Sequence, residues 1–168
     1  MGEPREIDSR LTAVLFALDR FEMKQAMEKA LARGRIVVCD RYVGSNLAHQ
    51  VARSPAPRRR AVRALIERLE YEVLGLPRPD VAILFDMPAA LAQRRILDKG
   101  ARDYTKKQLD AHEADSGHLR AALAEYRLQA RRHAQWVTVP TVRRGGAPRT
   151  REEIHAEVLE ALARANVL

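Results

Sequence analysis

Two short apolar runs decide the fold class of this 168-residue chain: IVVCD at residues 36–40 and VAILFD at residues 81–86. Each run is unbroken, and each ends in an aspartate. Unbroken apolar runs of this length are typical of strands that are buried on both faces, as the strands of parallel sheets are. Helical patterns flank and separate the two runs, and this alternation predicts an α/β fold with a mostly parallel sheet.

The other elements follow from helical periodicity and from capping and stop signals. Apolar residues such as Val14 and Phe21 recur at helical spacing after Asp8 or Ser9, and Gly34 is a natural end for that helix. Further helices are expected over about residues 57–74, 88–98 and 109–133, with a helical turn at 45–50, a short strand at 136–139 and a last helix capped by Thr150 and Glu153.

Composition limits the class of protein. With 46% hydrophobic and 31% charged residues and no low-complexity tract, the chain is expected to fold as one domain over residues 1–168. The longest apolar stretch, around Val14–Leu18, is far shorter than the roughly 20 residues of a membrane span. The N-terminus has no apolar core of a signal peptide, and the single cysteine, Cys39, cannot form an internal disulfide. We therefore expect a cytoplasmic protein with no membrane partner.

The charge balance points to an anionic partner. Thirty Lys and Arg residues against 22 Asp and Glu give a net charge of +8. A solvated arginine-rich surface would also explain the surplus, but a nucleotide, a phosphate or a nucleic acid would each fit it. Aromatic residues make up only 5% of the chain and do not alternate with the basic residues, so a stacking platform for single strands is poorly supported. Nucleic acid is not the partner that we expect.

Polar residues at the carboxyl ends of the two expected strands are the first candidates for chemistry, because ligands of open parallel sheets bind there. The first strand continues as Asp40-Arg41-Tyr42. A carboxylate in this position can hold Mg²⁺, and the adjacent guanidinium can grip a phosphate with two hydrogen bonds. Taken alone, the tripeptide favours a simpler interpretation, in which the aspartate caps a turn and the arginine is a surface residue.

Four stretches of the chain, in order and with matching spacing, resemble thymidylate kinases. They are LFALDR at 15–20, DRYVGSNLAHQ at 40–50, LPRPD at 76–80 running into the strand at 81–88, and DAHEAD at 110–115. The resemblance extends from about residue 8 to the C-terminus. It implies a three-layer α/β fold of the P-loop kinase type. It also implies a nucleoside monophosphate kinase that converts dTMP to dTDP with ATP and Mg²⁺, and that works as a homodimer.

The resemblance also implies roles in the acceptor site, residue by residue. Phe16 looks like the aromatic side chain that stacks on thymine, although on its own it would be interpreted as a core residue. Arg20 shares a helix face with Phe16 and would hydrogen-bond a base carbonyl. Arg41 would hold the acceptor phosphate, and Asp40 would help to organise Mg²⁺. The deoxynucleoside pocket would be lined by Ser45, Asn46, Gln50 and His49, the last of which stands where a tyrosine is common in the family.

A lid segment is expected at about residues 95–108, again by resemblance. Arg95 and Arg102 would act there as catalytic cations, because lid guanidiniums can neutralise the transferring phosphoryl group when the lid closes. Asp110 and Glu113 resemble the acidic element near the sugar and the metal, with Glu113 as a further Mg²⁺ ligand. Their three-residue spacing allows both carboxylates to lie on one helix face.

No stretch of the 168 residues matches G-x-x-x-x-G-K-[ST], the phosphate-binding loop with which thymidylate kinases begin. The fold is therefore expected to be incomplete at its N-terminus, without the first strand, the P-loop and the first helix. The favoured explanation is that Met1 lies inside a longer reading frame. A degenerate gene fragment is the second explanation, and a kinase that never had the loop is the third. The alternative function is a non-catalytic nucleotide-binding or dimerising module derived from the family.

We predict that the purified 168-residue chain forms negligible dTDP from ATP and dTMP, because the donor phosphates lack the backbone N–H groups that would cradle them. The measurement is nucleotide chromatography after incubation with Mg²⁺, with heat-denatured protein as the control. ATP-dependent formation of dTDP above that control would contradict the prediction.

Overall fold

The computed structural model describes residues 7–100 and 116–168. They form two compact units that divide between Arg78 and Pro79. The first unit contains α1 (Ser9–Leu31), α2 (Val43–Arg53), a 3₁₀ turn (Ala56–Arg58), α3 (Arg59–Glu67) and a π-helical segment (Arg68–Val73). The second contains β1 (Ala82–Asp86), α4 (Ala89–Gly100), α5 (Ser116–Arg132), β2 (Trp136–Pro140) and α6 (Arg151–Arg164). In these described residues, no helix has the length and apolar character needed to cross a membrane.

The first expected helix is confirmed as α1, and its ends have the predicted signals. Asp8 is the N-cap, and its carboxylate accepts a hydrogen bond of 2.8 Å from the backbone N–H of Arg10. After the helix, Gly34 has a φ of +68°, a conformation that glycine adopts without the steric cost that a Cβ brings. Local sequence signals therefore set both boundaries of α1.

The helix α2 lies against α1 and α3 in the core of the first unit. The expected helical turn at 45–50 is the middle of this eleven-residue helix. Val43, Leu47 and Val51 recur every four residues on one face and are buried, which explains why the helix extends beyond the predicted turn. The rest of this core comes from Ala13, Val62, Ile66 and Leu76, with Tyr42 and Tyr71 packed against it and partly buried.

The helix expected over 57–74 is confirmed, but it changes pitch along its length. A 3₁₀ turn leads into α3, and the last part is π-helical, with the N–H of Leu74 donating to the carbonyl of Leu69 five residues back (2.9 Å). Gly75 follows with a φ of +61°, and a Cβ there would stand 3.0 Å from Nζ of Lys24. That ammonium donates to the carbonyl of Leu74 (2.9 Å), so the close approach at Gly75 fixes the end of the helix.

The prediction of a strand at Ile36–Cys39 that is buried on both faces is wrong. These residues have no regular secondary structure, and the side chain of Val38 is 88% exposed. An apolar run becomes a strand only when a neighbouring strand completes its hydrogen bonds. Within residues 7–100 and 116–168, no strand pairs with Ile36–Cys39. Asp40 consequently does not follow a strand but lies in an exposed bend.

The two strands of the second unit are confirmed, and they are parallel. β1 pairs with β2 in the register Ala82 to Trp136 through Asp86 to Pro140. Helix α5 packs against both strands and α6 packs against β2. The predicted capping box is present at the start of α6, where Thr150 N–H donates to the Glu153 carboxylate (2.8 Å) and Thr150 Oγ1 accepts from Glu153 N–H (3.2 Å). The mixed α/β class with parallel strands is therefore confirmed.

Helix α1 buries its small residues and exposes its large apolar ones. Ala13 and Ala17 are buried, whereas Leu11, Leu15 and Leu18 are about half exposed, at 54%, 55% and 47%. The three leucines are spaced four and three residues apart, so they form one stripe on the helix face opposite the two alanines. We call Leu11, Leu15 and Leu18 the leucine stripe.

Two partly buried tyrosines of the first unit, Tyr42 and Tyr71, make the free energy of unfolding vary with pH in the alkaline range. Burial raises the pKa of Tyr42 and of Tyr71 to about 12, from an ordinary value of 10. Between these values the unfolded chain loses the phenolic protons that the folded chain keeps. We predict that their stabilising contribution, present below pH 10, is lost progressively as the pH rises to 12.

Denaturant unfolding across this pH range measures the effect. Tyr42→Phe and Tyr71→Phe should each make the free energy of unfolding decline less steeply with pH. The tyrosinate absorbance of these residues should rise at a higher pH in the folded protein than in the unfolded protein. Both phenylalanine variants declining as steeply as the unmodified chain would show that other groups cause the loss.

Candidate functional site

A fully buried carboxylate, that of Glu70 in the π-helical segment, joins three helices of the first unit. Arg20 of α1 donates to it through Nε (2.8 Å, to Oε2) and through Nη2 (to Oε1). Asn46 of α2 donates through Nδ2 to the same Oε1 (2.7 Å) and to the carbonyl of Ala13 (3.0 Å). We call Glu70, Arg20 and Asn46 the carboxylate cluster.

Glu70 was missed by the sequence reasoning, but the sequence contains a signal for it. It stands four residues after Ile66 and eight after Val62, both of which are buried, so a carboxylate falls on the apolar face of a helix. A charged side chain at such a position needs a partner, because an unpaired buried charge is costly. Arg20 is that partner, and only 15% of its side chain is exposed.

Arg20 and Phe16 are placed on adjacent turns of α1, as the sequence predicted. Arg20 has turned Nε and Nη2 to the carboxylate, which leaves Nη1 without a hydrogen bond in the described part of the chain. The ring of Phe16 is 48% exposed, so the alternative interpretation of Phe16 as an ordinary core residue is wrong. A guanidinium nitrogen and an open aromatic face are therefore available one helical turn apart.

Four predicted pocket residues lie on α2, and two of them hold buried acceptors without donors. Ser45 and His49 are half-buried. Asn46 and Gln50 are buried, and neither Asn46 Oδ1 nor Gln50 Oε1 has a hydrogen-bond partner in the described ranges. The orientation of the Asn46 amide follows from its network, because Nδ2 faces two groups that only accept. A buried acceptor left without a donor costs about 1–3 kcal/mol.

Arg41 has an unusual backbone conformation at the entrance to α2. Its φ is +66°, in the left-handed region that residues with a Cβ rarely adopt, and its side chain is exposed, as is that of Asp40. The next residue anchors the turn, since the Tyr42 hydroxyl donates to the carbonyl of Pro77 (2.9 Å). Strained residues of this kind occur preferentially at functional sites.

The second strand-end aspartate has a structural partner. Asp86 ends β1, and Arg127 of α5 donates to both of its carboxylate oxygens at 2.8–3.1 Å. Its backbone carbonyl accepts from the N–H and the hydroxyl of Thr141, both at 3.1 Å. Arg95, predicted as a lid cation, lies exposed on α4 in this second unit.

Several predicted residues lie outside the part of the chain that the structure describes. They are Arg102, Asp110 and Glu113, together with most of the expected lid at 95–108. Among the described residues no group of three His, Cys, Asp or Glu side chains forms a candidate metal cluster. Asp40 is the one predicted Mg²⁺ ligand whose position is described.

The chain is similar to known thymidylate kinases over most of its length. The thymidylate kinase family profile matches residues 3–133. A probable thymidylate kinase of Pyrococcus abyssi is 38% identical over 99 residues (58% of this chain and 44% of that protein). A thymidylate kinase of Mycobacterium tuberculosis is 37% identical over 118 residues (68% and 54%), and one of Akkermansia muciniphila is 35% identical over 150 residues (89% and 61%).

The chain spans about half the length of the curated relatives that it matches. The family profile nevertheless extends over α1, α2, α3, β1 and α5 and includes every residue of the carboxylate cluster. Since that match covers well over half of the 168 residues, the chain belongs to the thymidylate kinase family.

Proposed function

We propose that this chain forms the acceptor site of a nucleoside monophosphate kinase that phosphorylates dTMP to dTDP, with ATP as the donor. The observation that carries the proposal is the carboxylate cluster, which brings Arg20 and Asn46, two of the predicted substrate-binding residues, onto one buried carboxylate. Phe16 stands one helical turn from Arg20 with its ring open. Family membership supports the same reaction class.

The free polar atoms of the cluster complement a thymine base. Nη1 of Arg20 is a donor that suits a base carbonyl, and Oδ1 of Asn46 is a buried acceptor that needs an N–H. Thymine presents such a carbonyl next to its N3–H, whereas cytosine presents an amino group and an unprotonated ring nitrogen. Cytosine would leave both protein groups unpaired, which is a strong basis for discrimination.

Arg41 would hold the acceptor phosphate. Its guanidinium is exposed and can make two hydrogen bonds to phosphate oxygens. The left-handed backbone at this position supports a functional role, because a residue with a Cβ gains nothing in stability from a φ of +66°. Phosphoryl transfer demands positioning and charge neutralisation more than a nucleophile from the protein, and an arginine supplies both.

Mg²⁺ would be held at Asp40, with Glu113 as a further ligand. An exposed carboxylate beside the phosphate-binding arginine fits Mg²⁺, which uses one or two carboxylates, water and substrate phosphates. When bound, the ion neutralises charge on the phosphate oxygens. Asp110 would contact the sugar, and Ser45, His49 and Gln50 would line the deoxynucleoside pocket. Arg95 and Arg102 would bring further positive charge from the lid at 95–108.

Ligand titrations separate the base-binding and phosphate-binding roles. We predict that the purified chain binds dTMP at least as tightly as ATP in calorimetric titrations. Arg41→Lys should weaken dTMP binding by roughly tenfold or more and leave thymidine binding unchanged, because lysine loses the two-pronged grip on the phosphate. Arg20→Lys should weaken both ligands by a similar factor, since its contact is with the base.

The matched control is Arg35→Lys, the same change at an exposed arginine that has no part in the proposed site. Lysine meets the same left-handed strain as arginine at position 41, so Arg41→Lys should leave the free energy of unfolding within about 0.5 kcal/mol. Tighter binding of ATP than of dTMP would contradict the proposal. Unchanged dTMP binding in Arg41→Lys would leave residues 40–42 as an ordinary turn.

We also propose that the protein is a homodimer, as the family resemblance implies. The leucine stripe supports this, because α1 keeps large apolar side chains on the face opposite its buried alanines. Leu65 and Val73 add exposed apolar surface on α3 and the π-helical segment, and Leu69 is half-buried. A two-fold dimer requires one self-complementary patch of this kind.

Light scattering at micromolar concentration tests the dimer. We predict twice the monomer mass for the unmodified chain and the monomer mass for Leu15→Glu, because a charge in the stripe cannot be buried against a second copy. Leu159→Glu, the same change at an exposed leucine of α6 in the second unit, should remain dimeric. A monomeric unmodified chain would contradict the proposal.

A further inference from the structure

We propose that Glu70 is a positioning residue for the base: its buried carboxylate holds Arg20 as a donor and Asn46 as an acceptor, so that the two select the thymine edge together. This inference rests on the proposed function and deepens it. Both carboxylate oxygens of Glu70 already accept hydrogen bonds from Arg20 or Asn46, so we expect its influence on binding to pass through these two partners.

The hydrogen bonds determine which atoms of Arg20 remain for a ligand. A carboxylate that takes Nε and Nη2 fixes the plane of the guanidinium and directs Nη1 away from itself. Without that clamp, a guanidinium on a flexible stem samples many rotamers and loses more entropy when it meets a ligand. The clamp is therefore a form of preorganisation.

The Glu70 carboxylate also helps to determine which polar atom of the Asn46 amide is presented to a ligand. An asparagine side chain can present either its oxygen or its amino group to a ligand. Because Glu70 Oε1 and the Ala13 carbonyl only accept, both must face Nδ2, and Oδ1 is left as an acceptor with no partner among the residues that the structure describes. An acceptor there favours the N3–H of thymine and disfavours the unprotonated ring nitrogen of cytosine.

The π-helical backbone places this carboxylate at the junction of three helices. Segments of π-helix are rare and occur frequently at functional sites. Here the backbone N–H of Leu76 donates to the carbonyl of Glu70 (2.9 Å), so the loop after the helix also holds Glu70 in place. Stability alone would be served as well by an apolar side chain at a fully buried position, because buried ion pairs are weak stabilisers.

The test is Glu70→Gln, which keeps the shape of the side chain but replaces one acceptor oxygen with an amino group. The expected result is a loss of dTMP and thymidine affinity of roughly tenfold or more. The affinity ratio of dTMP to dCMP should fall as well, because only the Ala13 carbonyl then still orients the Asn46 amide. Glu72→Gln is the matched control, since that carboxylate is 70% exposed two residues further on.

A double-mutant cycle in dTMP binding distinguishes positioning from a structural role. If Glu70 acts through Arg20, the losses from Glu70→Gln and Arg20→Lys should be clearly less than additive. Should Glu70→Gln fail to fold by circular dichroism, Glu70→Asp replaces it in every arm, because it keeps the charge but shortens the reach of the carboxylate.

The outcomes separate this inference from the proposed function. An unmodified chain that does not bind dTMP contradicts the proposed function, and the inference with it. An unmodified chain that binds dTMP, with a folded Glu70→Gln variant that keeps the same affinity and the same dTMP to dCMP ratio, contradicts the inference alone. An equal loss for dTMP and dCMP, with additive effects in the cycle, also contradicts it.

Discussion

The first unit depends on one desolvated charge. Removing a carboxylate from water costs several kcal/mol even after relaxation, and only close partners offset that cost. Glu70 has those partners in Arg20 and Asn46, and each comes from a different helix. The side chains of α1 and α2 that meet Glu70 are therefore held in specific orientations, which apolar packing alone does not achieve because it tolerates small shifts. A binding site built on these helices inherits that precision.

The sequence predicted elements whose signals are local and missed those that depend on a distant partner. Asp8, Gly34 and the Thr150 capping box fix helix ends through neighbours within a few residues, and all three are confirmed. Ile36–Cys39 has the composition of a buried strand, but hydrogen bonds from a neighbouring strand decide whether it becomes one. Strands β1 and β2 supply such hydrogen bonds to each other, which is why the strands predicted from similar apolar runs are confirmed there.

The residues of the candidate site likewise divide into those that the sequence predicted and one that it missed. Phe16, Arg20, Arg41 and Asn46 were predicted from the family resemblance, and the structure places them on or beside the first two helices. Glu70 was not predicted, because helical periodicity describes it only as an interruption of an apolar face. Its role depends on Arg20, fifty residues earlier in the chain, and no local pattern reports a contact over that separation. A buried position that carries a charge is the sequence signal that such a contact exists.

Three features of the first unit are unfavourable for stability, and all lie beside predicted ligand-binding residues. They are the buried charge of Glu70, the acceptors of Asn46 and Gln50 that have no donor within residues 7–100 and 116–168, and the left-handed backbone of Arg41. Stability would be served better by an apolar residue, by paired amides and by a glycine, respectively. The rest of this unit follows ordinary rules: its core is aliphatic and its helices end at recognisable signals. Because departures from such rules concentrate where function constrains a protein, the unfavourable features support the proposed site on grounds other than the family resemblance.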